Sequence, residues 1–188
     1  MFNILALSIL GLSGCTPSPA DQEAMNYVEA IEIPLKGRLE RLELYELLDA
    51  QARRHKGLHV DDVSDRSEKF YRHEEVLKPN ERPTVEITVW RGKDDDQLVA
   101  AIGDVMHRGR VWATFSRGQV PELERPFREA ALAAILARWP KSQVLPVLPS
   151  GGLPLARDVV MTEEGYRIQA SQGQIYGLSK GSDLLASN

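Results

Sequence analysis

The sequence predicts an α+β fold: a single domain built on a mixed β-sheet, with a β-α-β-α-β core and helices mainly on one face. Three observations carry that expectation. From Thr84 to Leu148, runs with two-residue alternation are interleaved with runs of helical spacing. The alternating runs set aliphatic residues against polar and aromatic ones, whereas a sheet covered by helices on both sides reads as apolar on both faces. The 188 residues, 43% hydrophobic and 27% charged, have the balance of one globular domain of ordinary size.

Taken in order, residues 24–36 read equally as a strand or as a helical lead-in broken by Pro34. Leu39 to His55 places Leu39, Leu42, Leu44, Tyr45, Leu47, Leu48 and Ala52 at helical spacing, and the run stops in Arg53-Arg54-His55-Lys56-Gly57. Cations in a last turn followed by glycine are a helix C-terminus. Leu58 to Val63 reads as a short strand, and residues 64–82 as a long polar excursion that leaves room for a turn of helix.

Thr84 to Trp90 alternates Val85, Ile87 and Val89 with Thr84, Glu86, Thr88 and Trp90, which is a strand. Asp94 with Gln97 three residues on has capping-box spacing, so a helix is expected from Asp94 to about Asp104. Arg110 to Ser116 is a second strand, with Val111, Ala113 and Phe115 inward and Trp112, Thr114 and Ser116 outward. Glu122 to Trp139 is a helix between Pro121 and Pro140, and Val144 to Leu148 a third strand running the same way as the other two. Val159 to Met161 and Tyr166 to Gln169 form a hairpin able to extend the sheet, and residues 181–188 a frayed tail.

The N-terminus has a different character. Phe2 to Leu12 is an uncharged, mostly apolar run of eleven residues, the length of a signal-peptide core and short of the ~20 a spanning helix needs. Leu12-Ser13-Gly14-Cys15, with the chain's single cysteine, resembles the lipobox of bacterial lipoproteins, although Met1-Phe2-Asn3 lacks the Lys or Arg usual before the apolar core. That resemblance implies removal of residues 1–14 and lipidation of Cys15, and Thr16 after the cysteine implies sorting to the outer membrane, facing the periplasm, in a Gram-negative cell. Residues 15–23 then form the lipidated cysteine and a Pro-rich spacer, and residues 24–180 the domain.

Composition narrows the partners. A net charge of −4 does not suit an extended nucleic-acid footprint, which needs clustered excess Lys and Arg. One cysteine excludes an intramolecular disulfide and cysteine-rich zinc sites. Asp61, Asp62 and Asp65, with Asp94 to Asp96, lack the glycine and distal glutamate of a calcium loop, and His55, His59, His73 and His107 lack zinc-protease spacing. Neither a cofactor nor a metal is expected, and no nucleophile motif is visible.

Two constellations remain. If the three strands run alike, Arg91-Gly92, Arg117-Gly118 and Ser150-Gly151-Gly152 converge at their carboxyl ends, where two arginines beside helix N-termini would clamp a carboxylate or phosphate. The two Arg-Gly pairs also recur at an offset of 26 residues, each closing a strand before a helix. On the outer face, Trp90 and Trp112 fall among Glu86 and Arg110, a mixture typical of a partner-binding surface. The expected function is a membrane-anchored, non-catalytic binding module for a protein of the cell envelope: a secretion or envelope accessory, or an immunity protein against a toxin. The competing reading is a small-anion binder or enzyme using Arg91 and Arg117.

Overall fold

A computed structural model describes residues 26–73, 85–93, 97–103 and 110–187. The expected leader, Cys15 and the expected spacer lie outside the described residues, as do Asp94 to Asp96 and the part of the 64–82 excursion beyond His73. The elements are β1 (Tyr27–Ile33), α1 (Arg38–Ala52), β2 (Leu58–Asp62), α2 (Ser64–His73), β3 (Glu86–Arg91), β4 (Gln97–Gly103), β5 (Val111–Ser116), α3 (Pro121–Arg138), β6 (Gln143–Val144), β7 (Val159–Thr162) and β8 (Gly165–Ile168), with 3-10 turns at Ala156–Asp158 and Ala170–Tyr176.

The fold is α+β in one domain, with strand order β2-β3-β4-β5-β1-β6. Every pairing in that sheet is antiparallel, so the sheet is not mixed. β3, β5 and β6 nevertheless run the same way, because β4 and β1 are inserted between them. The correction lies at residues 97–103, where a strand replaces the expected helix. Gln97-Leu-Val-Ala-Ala-Ile-Gly is apolar on both sides of either element, so spacing alone cannot separate strand from helix. A strand wins because the central place between β3 and β5 satisfies its backbone on both edges and buries Val99, Ala100 and Ile102. A hairpin between β3 and β4 then replaces the crossover, so only the second Arg-Gly pair precedes a helix.

One face of the sheet carries the main core. Ile31, Ile33, Ile87, Val89, Ile102, Val111, Ala113 and Phe115 pack against Leu44, Leu48 and Ala52 of α1 and Phe127, Ala131 and Ile135 of α3. These are i, i+4 stripes, which is why both helices lie on this side. The residues left open by sequence resolve into β1 at Tyr27–Ile33 and into α2, ten residues long instead of one turn. α2 is tied to α1 by ion pairs from Arg38 to Glu68 (3.2 Å) and from Arg41 to Asp65 (2.9 Å).

The opposite face is covered over β5 and β1 by the chain after β6. β6 itself shortens to two residues, and the β7–β8 hairpin forms its own small sheet and does not extend the large one. Ala30 and Trp112 meet Leu145, Leu153 and Val159 there in a second apolar cluster. Described residues of the expected tail are bonded to the domain: Ile168 N–H donates to Leu184 C=O, and Ala186 N–H donates to Ile168 C=O, both at 2.8 Å.

Tyr176 secures this covering segment, its hydroxyl donating to Asp158 Oδ2 at 2.6 Å and accepting from Leu155 N–H at 3.0 Å. Burial, then the hydrogen bond to Asp158, pushes the phenol from its ordinary 10 up to about 12. Through that interval the unfolded chain gives up the proton and the folded chain keeps it, so Tyr176 adds stability below pH 10 that is lost as pH rises through 12. Urea midpoints measured across this alkaline range are expected to fall, and to fall less steeply in Tyr176→Phe; parallel curves would contradict it.

Candidate functional site

The outer face divides into a closed half over β5 and β1 and a half-open one over β2, β3 and β4. Register aligns Glu86, Gly103, Trp112 and Glu32 in one row across four strands, with Trp112 and Glu32 in the closed half. Trp112 is only 1% exposed. Its indole N–H donates to Glu32 Oε2 at 2.8 Å, and Arg110 Nε donates to the same oxygen at 2.5 Å. Tyr166 hydroxyl donates to Glu32 Oε1 at 2.8 Å, and Arg110 Nη1 to Ala156 C=O at 2.9 Å. The Arg110 guanidinium also lies over the Tyr166 and Trp112 rings, 4.8 and 5.5 Å from their centroids. Burial and the Glu32 hydrogen bond both raise the Tyr166 phenol, which keeps it a donor.

Trp112 and Arg110 are therefore not part of an exposed partner surface, and the expectation for them is corrected. They pin the covering segment to the sheet through Glu32, a residue that sequence reasoning passed over. Its signal was a lone carboxylate between Ile31 and Ile33 in an alternating run, which puts it on the face opposite the aliphatic core.

In the half-open part, β3 presents Glu86, Thr88 and Trp90, with His59 opposite Trp90 and Asp61 opposite Thr88 on β2. All five are partly exposed, as are Leu98 and Ala101 beside them on β4. Trp90 donates its indole N–H to Thr88 Oγ1 at 2.9 Å, which orients the ring along the strand. Glu86 has one buried carboxylate oxygen, Oε2, without a hydrogen-bond partner. Trp90 and Glu86 thus keep their expected place on a polar and aromatic face, and His59 and Asp61 join them through pairing that no local pattern reveals.

The anion candidate reads differently in three dimensions. Arg91, Arg117 and Ser150-Gly151 do reach the same end of the sheet: Arg117 N–H donates to Asn26 C=O at 2.9 Å, and Tyr27 N–H to Gly151 C=O at 2.8 Å. Arg91, however, is already engaged. Its Nε meets Glu124 Oε1 at 2.5 Å, Nη1 donates to Lys56 C=O at 2.6 Å and Nη2 to Leu123 C=O at 3.3 Å. Glu124 is 0% exposed in the first turn of α3, so this pair fastens the helix to the end of β3.

Gly118 belongs to the same junction. It has φ of +72°, and a Cβ there would fall 2.3 Å from Glu124 Cγ, so the glycine makes room for the pair. Gly92, with φ of +110°, turns the chain out of β3 while its N–H donates to Gly57 C=O. Gly151, with φ of +84°, passes against the backbone of Asn26, and Gly152 C=O accepts from Leu148 N–H. Arg117 is exposed at this rim, as is Ser150. The arrangement brings the predicted anion residues to one edge but neutralises the first arginine within the protein.

Among the described residues no group of three His, Cys, Asp or Glu is placed to hold a metal ion, and no helix is long and apolar enough to cross a membrane. No family model, curated protein or solved structure matches this chain.

Proposed function

We propose that this chain is a lipoprotein anchored to the outer membrane, facing the periplasm, whose domain acts as a non-catalytic binding module for a protein of the cell envelope. The lipobox resemblance at Leu12 to Cys15 supports the address. The observation that carries the binding role is the half-open face of β2, β3 and β4, where Trp90 stands among Glu86, Thr88, His59 and Asp61. An aromatic ring with its N–H already bonded along the strand offers a large, pre-oriented contact area, the kind that dominates protein interfaces. Arg91, the first cation of the competing anion reading, has its charge countered by Glu124.

The described fold begins at Asn26, eleven residues past Cys15, so the tether would reach at most about 40 Å. A partner of this module therefore lies in, or comes close to, the membrane.

Two measurements test the reading. The mass of the native chain is expected to correspond to acylated Cys15 as first residue, with Cys15→Ser leaving the membrane fraction. Trp90→Ala is expected to lose at least tenfold in affinity for the envelope protein that copurifies with the wild type, while Arg117→Ala keeps it. An intact Met1 on a soluble chain would overturn the address, and loss of the partner through Arg117 in place of Trp90 would favour the anion site.

A further inference from the structure

β2 is an end strand: among the described residues its only sheet neighbour is β3. Gly92 N–H donates to Gly57 C=O and Val63 N–H to Glu86 C=O, which sets the phase of the ladder. With Leu58 opposite Arg91 and Asp62 opposite Ile87, His59 and Asp61 turn their backbone groups toward β3, and Leu58, Val60 and Asp62 turn theirs to the open side. Leu58 N–H is used by His55 C=O at 3.2 Å. Among the described residues the open edge therefore leaves two donors, Val60 and Asp62 N–H, and the carbonyls of Leu58, Val60 and Asp62.

This edge carries few of the features that keep sheet edges apart. β2 has no proline, no lysine and no bulge. Its inward-facing acid, Asp62, lies 3.6 Å from Arg41 and accepts Ser64 N–H at 3.0 Å, so its charge is offset internally. Leu58 and Val60 are only partly buried where they pack against the core, which brings apolar surface to the edge.

We propose that β2 is a docking edge for a second copy of this chain, the two strands pairing antiparallel about a twofold axis at Val60. In that register Val60 N–H meets Val60 C=O of the other copy in both directions. Asp62 N–H meets Leu58 C=O, so both of those donors are used. On the outer face His59 falls opposite Asp61 of the other copy, twice, in the close non-hydrogen-bonded pairing where an imidazole N–H can donate to a carboxylate. Neighbouring registers lose this match. An axis at Asp61 or Asp62 sets acid against acid, and an axis at Leu58 faces two N–H groups already committed to His55.

The edge is thus self-complementary in backbone donors and acceptors, in its His59–Asp61 pairs and in apolar surface, as an isologous twofold contact requires. His59 and Asp61 border both surfaces, but the pairing itself is made by the Val60 and Asp62 edge groups, so the oligomeric state of Trp90→Ala separates this proposal from the binding role of the Trp90 face.

Sedimentation of the full chain in density-matched detergent tests it. At about 100 µM, a hundredfold above a micromolar Kd, a dimer is expected. Val60→Pro removes an outward donor that the β3 ladder does not use, and is expected to give a folded monomer. Asp61→Lys sets Lys opposite His59 and is expected to raise the dimer Kd at least tenfold. Adding His59→Asp to that variant sets Asp opposite Lys and is expected to restore the dimer. Trp90→Ala is expected to stay dimeric. A monomeric wild type at this concentration, or a dimer indifferent to both Asp61→Lys and its compensated double variant, overturns the proposal.

Discussion

Glu124→Ala is expected to lower the free energy of unfolding by about 3–5 kcal/mol, the usual cost of breaking one side of a buried ion pair. Glu124 is wholly buried and its partner nearly so: the Arg91 side chain is 16% exposed. Removing the carboxylate leaves a guanidinium held in place by Lys56 and Leu123 carbonyls but with no counter-charge. It also opens space under Gly118, whose turn is shaped around the Glu124 side chain. Replacing both partners, as in Arg91→Met with Glu124→Met, is expected to recover most of the loss, since two apolar side chains of similar volume need no counter-charge. Urea unfolding of the three variants measures this. A loss below about 1 kcal/mol in Glu124→Ala would mean the pair behaves like a solvated surface contact and does not hold α3 in place.

Trp112→Ala is expected to cost about 3–5 kcal/mol, because a fully buried aromatic is exchanged for a cavity between the sheet and the segment that covers it. Trp90→Ala, at a half-open position of the same face, is expected to cost about 1 kcal/mol. The two substitutions differ in kind as well as size. Without the Trp112 ring, Leu145, Leu153 and Val159 lose their shared neighbour, while Glu32 still holds Arg110 and Tyr166. The β7–β8 hairpin is then expected to open below the global free energy, seen as faster hydrogen exchange at the Ile168 amide, which is bonded to Leu184 C=O. Equal destabilisation by the two tryptophan substitutions would mean that the covering segment contributes little to this face.

Most helices and several strands were legible because each has a period or a stop signal of its own. Leu44, Leu48 and Ala52 mark one stripe, Phe127, Ala131 and Ile135 another, and Val85 to Trp90 and Val111 to Ser116 alternate cleanly. Residues 97–103 misled for an identifiable reason. A strand that carries apolar residues on its outer face too, here Leu98 and Ala101, loses its alternation, and the acids before it in the sequence imitate a helix cap. β1 was ambiguous because Pro34 fits the end of a strand as well as the break of a helix.

The candidate sites fared unequally for a related reason. Which strand face a residue occupies follows from parity, so Trp90, Glu86, Trp112 and Arg110 were correctly grouped on one side of the sheet. What covers that side depends on segments more than thirty residues away in the chain. Val159 and Tyr166 close over Trp112, and Glu124 reaches back to Arg91.

By itself, then, the sequence determined the α+β class, the helical face of the sheet and the positions of most elements. Tertiary structure alone decided that the sheet is antiparallel throughout, that Arg91 is spent on an internal ion pair, and that one tryptophan is core while the other stays half open. The division has a physical cause. Periodicity and capping are governed by neighbours a few residues apart, whereas strand pairing, burial of a face and neutralisation of a charge depend on groups that meet only when the chain has closed on itself.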